Sequence, residues 1–244
     1  MNSVCIATYN GEQYIAEQLR SILVQIASDD EVIVSDDGST DHTLDIIRDF
    51  NDQRIHIIYS DAHNLIHNFE NAILHAKGNI IFLSDQDDVW LEGKYQRCLN
   101  ELETADLVCT NSILTDEKLN ILNHDFFSIY HSGKGILKNI IVSTYYGACM
   151  AFKRHIAAYA LPFPDTNEIG HDLWLGLVAE MTGTVRFIPQ PYLLYRRYNG
   201  TNTTTGNILT RSNRPLWRKI WGRIVICYYV CKFKISLWKK TITK

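Results

Sequence analysis

Short apolar runs resembling buried strands alternate with helical patterns along the first 111 residues, and most of the runs end in a polar cluster. The runs are Ser3–Thr8, Glu31–Ser35, Ile55–Tyr59, Asn79–Ser84 and Asp106–Asn111. Helical periodicity follows the Tyr9-Asn10-Gly11 turn through about Gln25, with Ile15, Leu19, Ile22 and Leu23 on one face. A second helix runs to about Phe50 with Ser39 or Thr40 as its cap, a third covers 68–76, and a fourth covers Leu91–Glu103. This alternation predicts an α/β fold, a mostly parallel central sheet with helices on both faces. Ligands of such sheets lie off the carboxyl ends of the strands. Thr8-Tyr9-Asn10, Ser35-Asp36-Asp37-Gly38-Ser39 and Ser84–Asp88 all sit there, so three clusters distant in sequence converge on one rim.

The second half is less regular. Residues 112–135 read as a loop with short turns, and Tyr146–Phe152 as another buried strand. Leu161-Pro162-Phe163-Pro164 is an extended link. Gly170-His171-Asp172 opens a helical run from Leu173 to Met181, and Val185–Ile188 and Tyr192–Tyr195 read as closing strands.

The chain of 244 residues is long enough for one large domain, or one domain with an appendage. Charge favours the appendage. Residues 211–244 hold ten Lys and Arg and no acid, whereas the first 210 hold the other 14 against all 27 Asp and Glu. The expected organisation is a domain over 1–210, with a nucleotide-binding half at 1–111 and an acceptor-side half at 112–210, followed by a basic tail at 211–244. In the tail, Trp217, Trp221, Ile224, Tyr228, Cys231, Ile235 and Trp238 recur at steps of four and three, which is one stripe on a helix. Its longest fully apolar run, Ile224 to Cys231, is well short of the roughly 20 residues that span a bilayer. A basic amphipathic helix with aromatic residues suits the surface of an anionic membrane. Packing on the acidic body, or on a second copy, is the alternative. An acidic body without a reading motif argues against nucleic acid. Six scattered cysteines without paired spacing fit reduced thiols. The N-terminus lacks the pattern of a signal peptide, so the expected location is cytoplasmic, peripheral on the inner face of the cell membrane.

The residues with chemistry are carboxylates. Ser84-Asp85-Gln86-Asp87-Asp88 places three like charges at the end of an apolar strand, where folding gains nothing obvious from them. Asp85 and Asp87 suit a hard divalent cation, Mg²⁺ or Mn²⁺, that fills its other positions with water and substrate phosphates. The plainer reading is that Asp87 or Asp88 caps the next helix. Asp36 and Asp37 can accept bonds from a ribose hydroxyl or a base N–H, or simply hold a turn. Asp172, at a helix start, is a candidate general base or a cap, with His171 as second candidate base. Neither a GxGxxG nor a GxxxxGK[ST] pattern occurs.

Taken in order, Ala7-Thr8-Tyr9-Asn10-Gly11, Ser35-Asp36-Asp37-Gly38-Ser39-Thr40-Asp41, Leu83-Ser84-Asp85-Gln86-Asp87-Asp88-Val89-Trp90, His171-Asp172-Leu173-Trp174 and Leu194-Tyr195-Arg196 resemble the inverting family 2 glycosyltransferases of the A-type fold. The subgroup they are most similar to is the rhamnosyltransferase-like enzymes of bacterial surface polysaccharide synthesis. The resemblance covers about residues 3–205. It implies a nucleotide-sugar donor, a glycan or lipid-linked acceptor, a divalent metal and a single displacement. Thr8, Tyr9, Asn10, Asp36 and Asp37 would lie at the nucleoside, Asp85 near ribose and phosphate, Asp87 at the metal, and Asp172 would be the base. Many relatives follow the Tyr-Arg pair with His-Gly-x-Asn. Here Arg197-Tyr198-Asn199-Gly200 follows and the His is absent, which leaves Arg196 or Arg197 to meet the diphosphate. The rival readings are a nucleotidyltransferase, which usually carries a basic Gly-rich loop where Tyr9-Asn10-Gly11-Glu12 stands, and a degenerate, non-catalytic nucleotide-sugar-binding module.

Overall fold

A computed structural model describes residues 1–197 and 215–242, with side chains to residue 239. The Arg197–Tyr198–Asn199 run, the boundary expected at 210, and Arg211, Arg214, Lys240 and Lys244 of the basic tail fall wholly or partly outside the described positions.

The first half follows the alternation in its sequence. β1 (Ser3–Thr8) leads to α1 (Ile15–Leu23), β2 (Glu31–Asp36) to α2 (Thr43–Asp49), β3 (Ile55–Tyr59) to α3 (Leu65–His75), and β4 (Ile80–Asp85) to the short β5 (Val89–Trp90) and α4 (Lys94–Leu102). All six residues of β1 and all six of β2 are buried. Neighbouring side chains on a strand point to opposite faces, so burial throughout means that both faces are covered.

β6 (Leu107–Thr115), β7 (Ile121–Asn123), α5 (Phe126–Tyr130), α6 (Ile136–Ile141), β8 (Met150–Lys153), α7 (Arg154–Ala160), α8 (His171–Thr182), β9 (Val185–Arg196) and α9 (Leu216–Ile242) complete the chain. The strand order is β3-β2-β1-β4-β8-β6-β9-β5, with β7 beside β6. β3, β2, β1 and β4 are mutually parallel, β8 runs against both β4 and β6, and β6 is parallel to β9. Six strands therefore point one way, and β5, β7 and β8 oppose them. The α/β architecture and the mostly parallel sheet are as expected.

Several boundaries differ. The loop expected over 112–135 contains the end of β6, all of β7 and α5. β6 runs four residues past the expected end at Asn111, and Ser112 and Thr115 there are polar yet buried, which hides the continuation from a hydropathy pattern. Asn111 is satisfied by donating to Asp125 Oδ1 at 2.8 Å and to the Pro189 carbonyl at 2.9 Å. The two closing strands are one, β9, whose pairing with β6 shifts register around Asn111. Neither Asp87 nor Asp88 caps α4: that helix begins after Gly93, whose φ of +81° is the left-handed conformation that favours glycine. α2 starts at Thr43 rather than near Ser39 or Thr40, and Asp41 Oδ1 accepts from the Thr43 N–H at 3.0 Å. Cys5, Cys98, Cys109 and Cys149 are buried and unpaired, and Cys227 and Cys231 are exposed and unpaired.

α9 has two apolar faces. Gly222, Ile226 and Val230 are buried, and Val225, Tyr229 and Phe233 are packed against the core. Trp174 of α8 meets the rings of Tyr229 and Phe233 edge-on. The stripe read from the sequence points the other way: Trp217, Trp221, Ile224, Tyr228, Ile235 and Trp238 are all more than half exposed. Among the described residues no helix is long and apolar enough to cross a membrane.

Candidate active site

A cleft of about 800 Å³ opens at the carboxyl ends of β1, β2 and β4, a size suited to a small-molecule ligand. Its walls come from segments far apart in the chain, as the sequence clusters led one to expect.

The β1 and β2 ends are tied to each other first. Thr8 is buried and its Oγ1 donates to Asp36 Oδ1 at 3.1 Å. Asp36 also accepts from the N–H groups of Gly38 and Ser39 and from Ser39 Oγ. It is a buried turn anchor and does not line the cleft. Asp37 does line it, and its carboxylate accepts from the N–H groups of His63 and Asn64 at 3.0 and 2.9 Å. Asn10 takes a positive φ of +47°, and its Oδ1 accepts from the Thr40 N–H at 2.9 Å, which joins the two loops. Tyr9 projects into the open, 55% exposed. Thr8, Tyr9 and Asn10 all line the cleft.

The acidic turn after β4 forms the floor. Carboxylate oxygens of Asp85, Asp87 and Asp88 lie within 4.8 Å of one another. Burial pushes the Asp85 carboxyl up to about 7, and the charges of Asp87 and Asp172 push the same way. Asp88 is pushed well above the carboxylate range, again first by burial and then by its two neighbours. The cluster thus sits in a folded chain that disfavours its charged form. Asp88 Oδ1 accepts from the Arg196 N–H, while its Oδ2 is buried with no partner. Hard oxygen donors at this spacing, one of them unsatisfied, fit a divalent cation.

Asp172 faces this floor from the first turn of α8, where its Oδ1 accepts from the Leu173 N–H at 2.7 Å. His171 also lines the cleft, but it is buried, its ring stacks 4.1 Å from Phe69, and burial pulls its pKa down. Gly147 must lack a side chain because a Cβ there would lie 2.6 Å from His171 Nε2.

The two arginines part company. Arg196 lines the cleft. Arg197 does not: it is buried and donates to the Tyr130 hydroxyl at 2.6 Å. Sequence reasoning missed His63, Asn64, Asn68 and the Tyr146–Ala148 stretch, all on the cleft wall. Asn64 carried a legible signal, since it caps α3 by accepting from the Ile66 N–H at 2.8 Å. The others lie in turns or helix faces with no distinguishing pattern.

A mostly parallel α/β sheet that ends in an aspartate cluster, with another carboxylate across the cleft, defines the A-type fold of glycosyltransferases. Residues 3–159 match the model of glycosyl transferase family 2, and the chain belongs to that family. It is 30% identical over 182 residues to the UDP-Glc:alpha-D-GlcNAc-diphosphoundecaprenol beta-1,3-glucosyltransferase WfaP of Escherichia coli, covering 73% of this chain and 70% of that one. To the dTDP-rhamnosyl transferase RfbG of Shigella flexneri it is 33% identical over 120 residues, 44% of this chain and 40% of that one. The chain spans about a third of an uncharacterized Nostoc glycosyltransferase to which it is 34% identical over 109 residues, 43% of this chain. Among solved structures, S. aureus TarS in complex with UDP-GlcNAc superposes with a TM-score of 0.68 at 18% identity, over 93% of this chain and 71% of that one. The mannosyltransferase PcManGT from Pyrobaculum calidifontis, in complex with GDP-Man and Mn²⁺, gives 0.60 at 20% identity, over 82% and 57%.

Proposed function

We propose that this chain transfers a sugar, with inversion, from a nucleotide-sugar donor to a hydroxyl of a glycan or lipid-linked acceptor in bacterial surface polysaccharide synthesis. The observation that supports it most is the Asp85–Asp87–Asp88 cluster and Asp172 on two sides of one cleft. The nucleoside lies against Thr8, Tyr9, Asn10 and Asp37, with Asp36 holding their loop. Asp85 and Asp87 hold a divalent metal, Mn²⁺ or Mg²⁺, which when bound offsets the negative charge on the leaving diphosphate. Asp172 takes the proton of the acceptor hydroxyl while that oxygen bonds to the anomeric carbon and the bond from that carbon to the diphosphate oxygen breaks. Attack from the side opposite the diphosphate inverts the centre.

Relatives favour this acceptor class: the name of WfaP describes a diphosphoundecaprenol-linked substrate. A lipid-linked acceptor makes a membrane position useful, and the outward face of α9 is suited to one. We therefore place the protein on the cytoplasmic membrane surface, docked peripherally through residues 211–244. The relatives' names point to different donors, dTDP-rhamnose for RfbG and UDP-Glc for WfaP, so both belong in the test. A nucleotidyltransferase is disfavoured because residues Tyr9–Glu12 offer no basic side chain for a triphosphate. The test is a panel of nucleotide sugars, dTDP-rhamnose and UDP-Glc among them, offered to purified protein with and without Mn²⁺, read as released nucleoside diphosphate. Release from one donor, dependent on Asp87 and on metal, is expected; no release from any donor with any acceptor overturns the reading in favour of a binding module.

A further inference from the structure

The acidic turn has to present Asp87 to the cleft although three like charges crowd it. Arg196, the last residue of β9 and 4% exposed, grips that turn beside the cleft. Its Nε donates to the Asp87 carbonyl at 2.7 Å, and its backbone N–H donates to Asp88 Oδ1 at 3.0 Å. Nη2 donates to Glu17 of α1 at 2.6 Å, and Nη1 donates to the Glu117 carbonyl. The guanidinium carbon lies 4.8 Å from the centre of the Tyr14 ring. Each guanidinium nitrogen thus already donates to the protein, and the Glu17 carboxylate balances the cation.

We propose that Arg196 is a positioning residue for the metal-holding turn. By fixing the peptide of Asp87 through its guanidinium and the side chain of Asp88 through its backbone N–H, it sets the direction in which the Asp87 carboxylate points. A lysine has one point charge and no fork, so it cannot reach α1, the Glu117 turn and Asp87 together. The proposal rests on Asp87 being a metal ligand, and it gives Arg196 a role other than contact with the diphosphate.

The test is Mn²⁺ titration of the free protein followed by electron paramagnetic resonance, beside nucleoside diphosphate binding measured in EDTA. Arg196→Gln and Arg196→Lys are expected to weaken Mn²⁺ binding by about 10- to 100-fold, the range for groups that orient metal ligands. Glu17→Gln, whose side chain is half exposed, should weaken it less. Diphosphate binding without metal should not change. Wild-type Mn²⁺ affinity in Arg196→Gln overturns the proposal, and so does a loss of diphosphate binding in EDTA as large as the loss of Mn²⁺ binding. Should Arg196→Gln fail to fold, wild-type Mn²⁺ affinity in both Arg196→Lys and Glu17→Gln overturns it equally. Asp87→Asn run in parallel separates the two ideas: if it too binds Mn²⁺ like the wild type, the metal site itself is misassigned.

Discussion

Gln86 and the backbone of Tyr9 are joined by two hydrogen bonds, Tyr9 N–H to Gln86 Oε1 at 3.0 Å and Gln86 Nε2 to the Tyr9 carbonyl at 3.1 Å. The side chain between Asp85 and Asp87 thereby stitches the acidic turn to the loop that presents Tyr9. Gly11 makes room for it, since a Cβ there would run into the Gln86 amide. Gln86→Glu keeps one acceptor, loses the donor and adds a fourth negative charge. Two lost or strained hydrogen bonds, at about 1 kcal/mol each, correspond to roughly a tenfold or greater loss of affinity. Gln86→Glu and Gly11→Ala are each expected to weaken nucleotide-sugar binding to that extent by calorimetry. Unchanged binding in both would show that the two loops are held by other contacts.

Asp172→Asn preserves shape and an oxygen for the Leu173 N–H, but removes the proton acceptor. Donor binding should stay near wild type while transfer falls by about 10²–10⁴-fold, the usual worth of a general base. A collapse of donor affinity with transfer intact would make Asp172 a binding residue.

The acidic cluster gives the metal-free protein a pH signature. Asp85 and Asp88 keep their protons in the folded chain at pH values where an unfolded chain has released them. Their contribution to stability is fully present below the unfolded value of about 3.8 and is lost as pH rises through about 7 for Asp85. In EDTA the melting temperature of the wild type should therefore drop across that window relative to Asp85→Asn, and Asp87→Ala should be no less stable than wild type near neutral pH. His171, with a lowered pKa, acts in the opposite sense in acid in all three proteins, so the comparison between them isolates the cluster. Parallel melting curves for wild type and Asp85→Asn from pH 4 to 8 would remove the cluster as a source of strain.

The first half of the chain was legible because its strands are largely apolar and most of them end in a turn that points at the same rim. Thr8, Tyr9, Asn10, Asp37, Asp85 and Asp87 are all found on one cleft for that reason, and Asp172 joins them from the first turn of α8. Asp36 was harder to place, since adjacent residues at a strand end face opposite ways and only coordinates show which of Asp36 and Asp37 turns inward. Arg196 and Arg197 pose the same ambiguity. The continuation of β6 past Asn111 was illegible because Ser112 and Thr115 are polar yet buried, which leaves no hydropathy pattern. α9 was legible in part, since its conspicuous stripe is exposed as a membrane-facing helix requires, but its packed face was not read. A stripe of large apolar residues ordinarily packs, yet here a second, less conspicuous set built on Gly222, Ile226 and Val230 does the packing.

The outward stripe of α9 leads to the last expectation. A helix of 27 residues is about 40 Å long, and this one carries Trp217, Trp221, Tyr228 and Trp238 in the open. At 3.6 residues per turn, Arg223 and Lys234 flank the stripe on one side and Arg218, Lys232 and Lys239 on the other, with no acid anywhere from 211 to 244. That arrangement suits a helix lying in the headgroup region of an anionic bilayer, with rings at the acyl boundary and cations among the phosphates. The opposite face holds α8 through Trp174, and α8 begins with the Asp172 turn, so docking would hold the cleft at a set height over a lipid-linked acceptor. The full chain should sediment with phosphatidylglycerol vesicles, less so as salt rises. Trp221→Glu combined with Ile224→Glu, both on the outward stripe, should abolish sedimentation and spare transfer to a soluble acceptor analogue. Sedimentation equal to wild type in that variant would sink the idea, whereas a dimer that dissociates only in the variant would assign the stripe to a second copy of the chain.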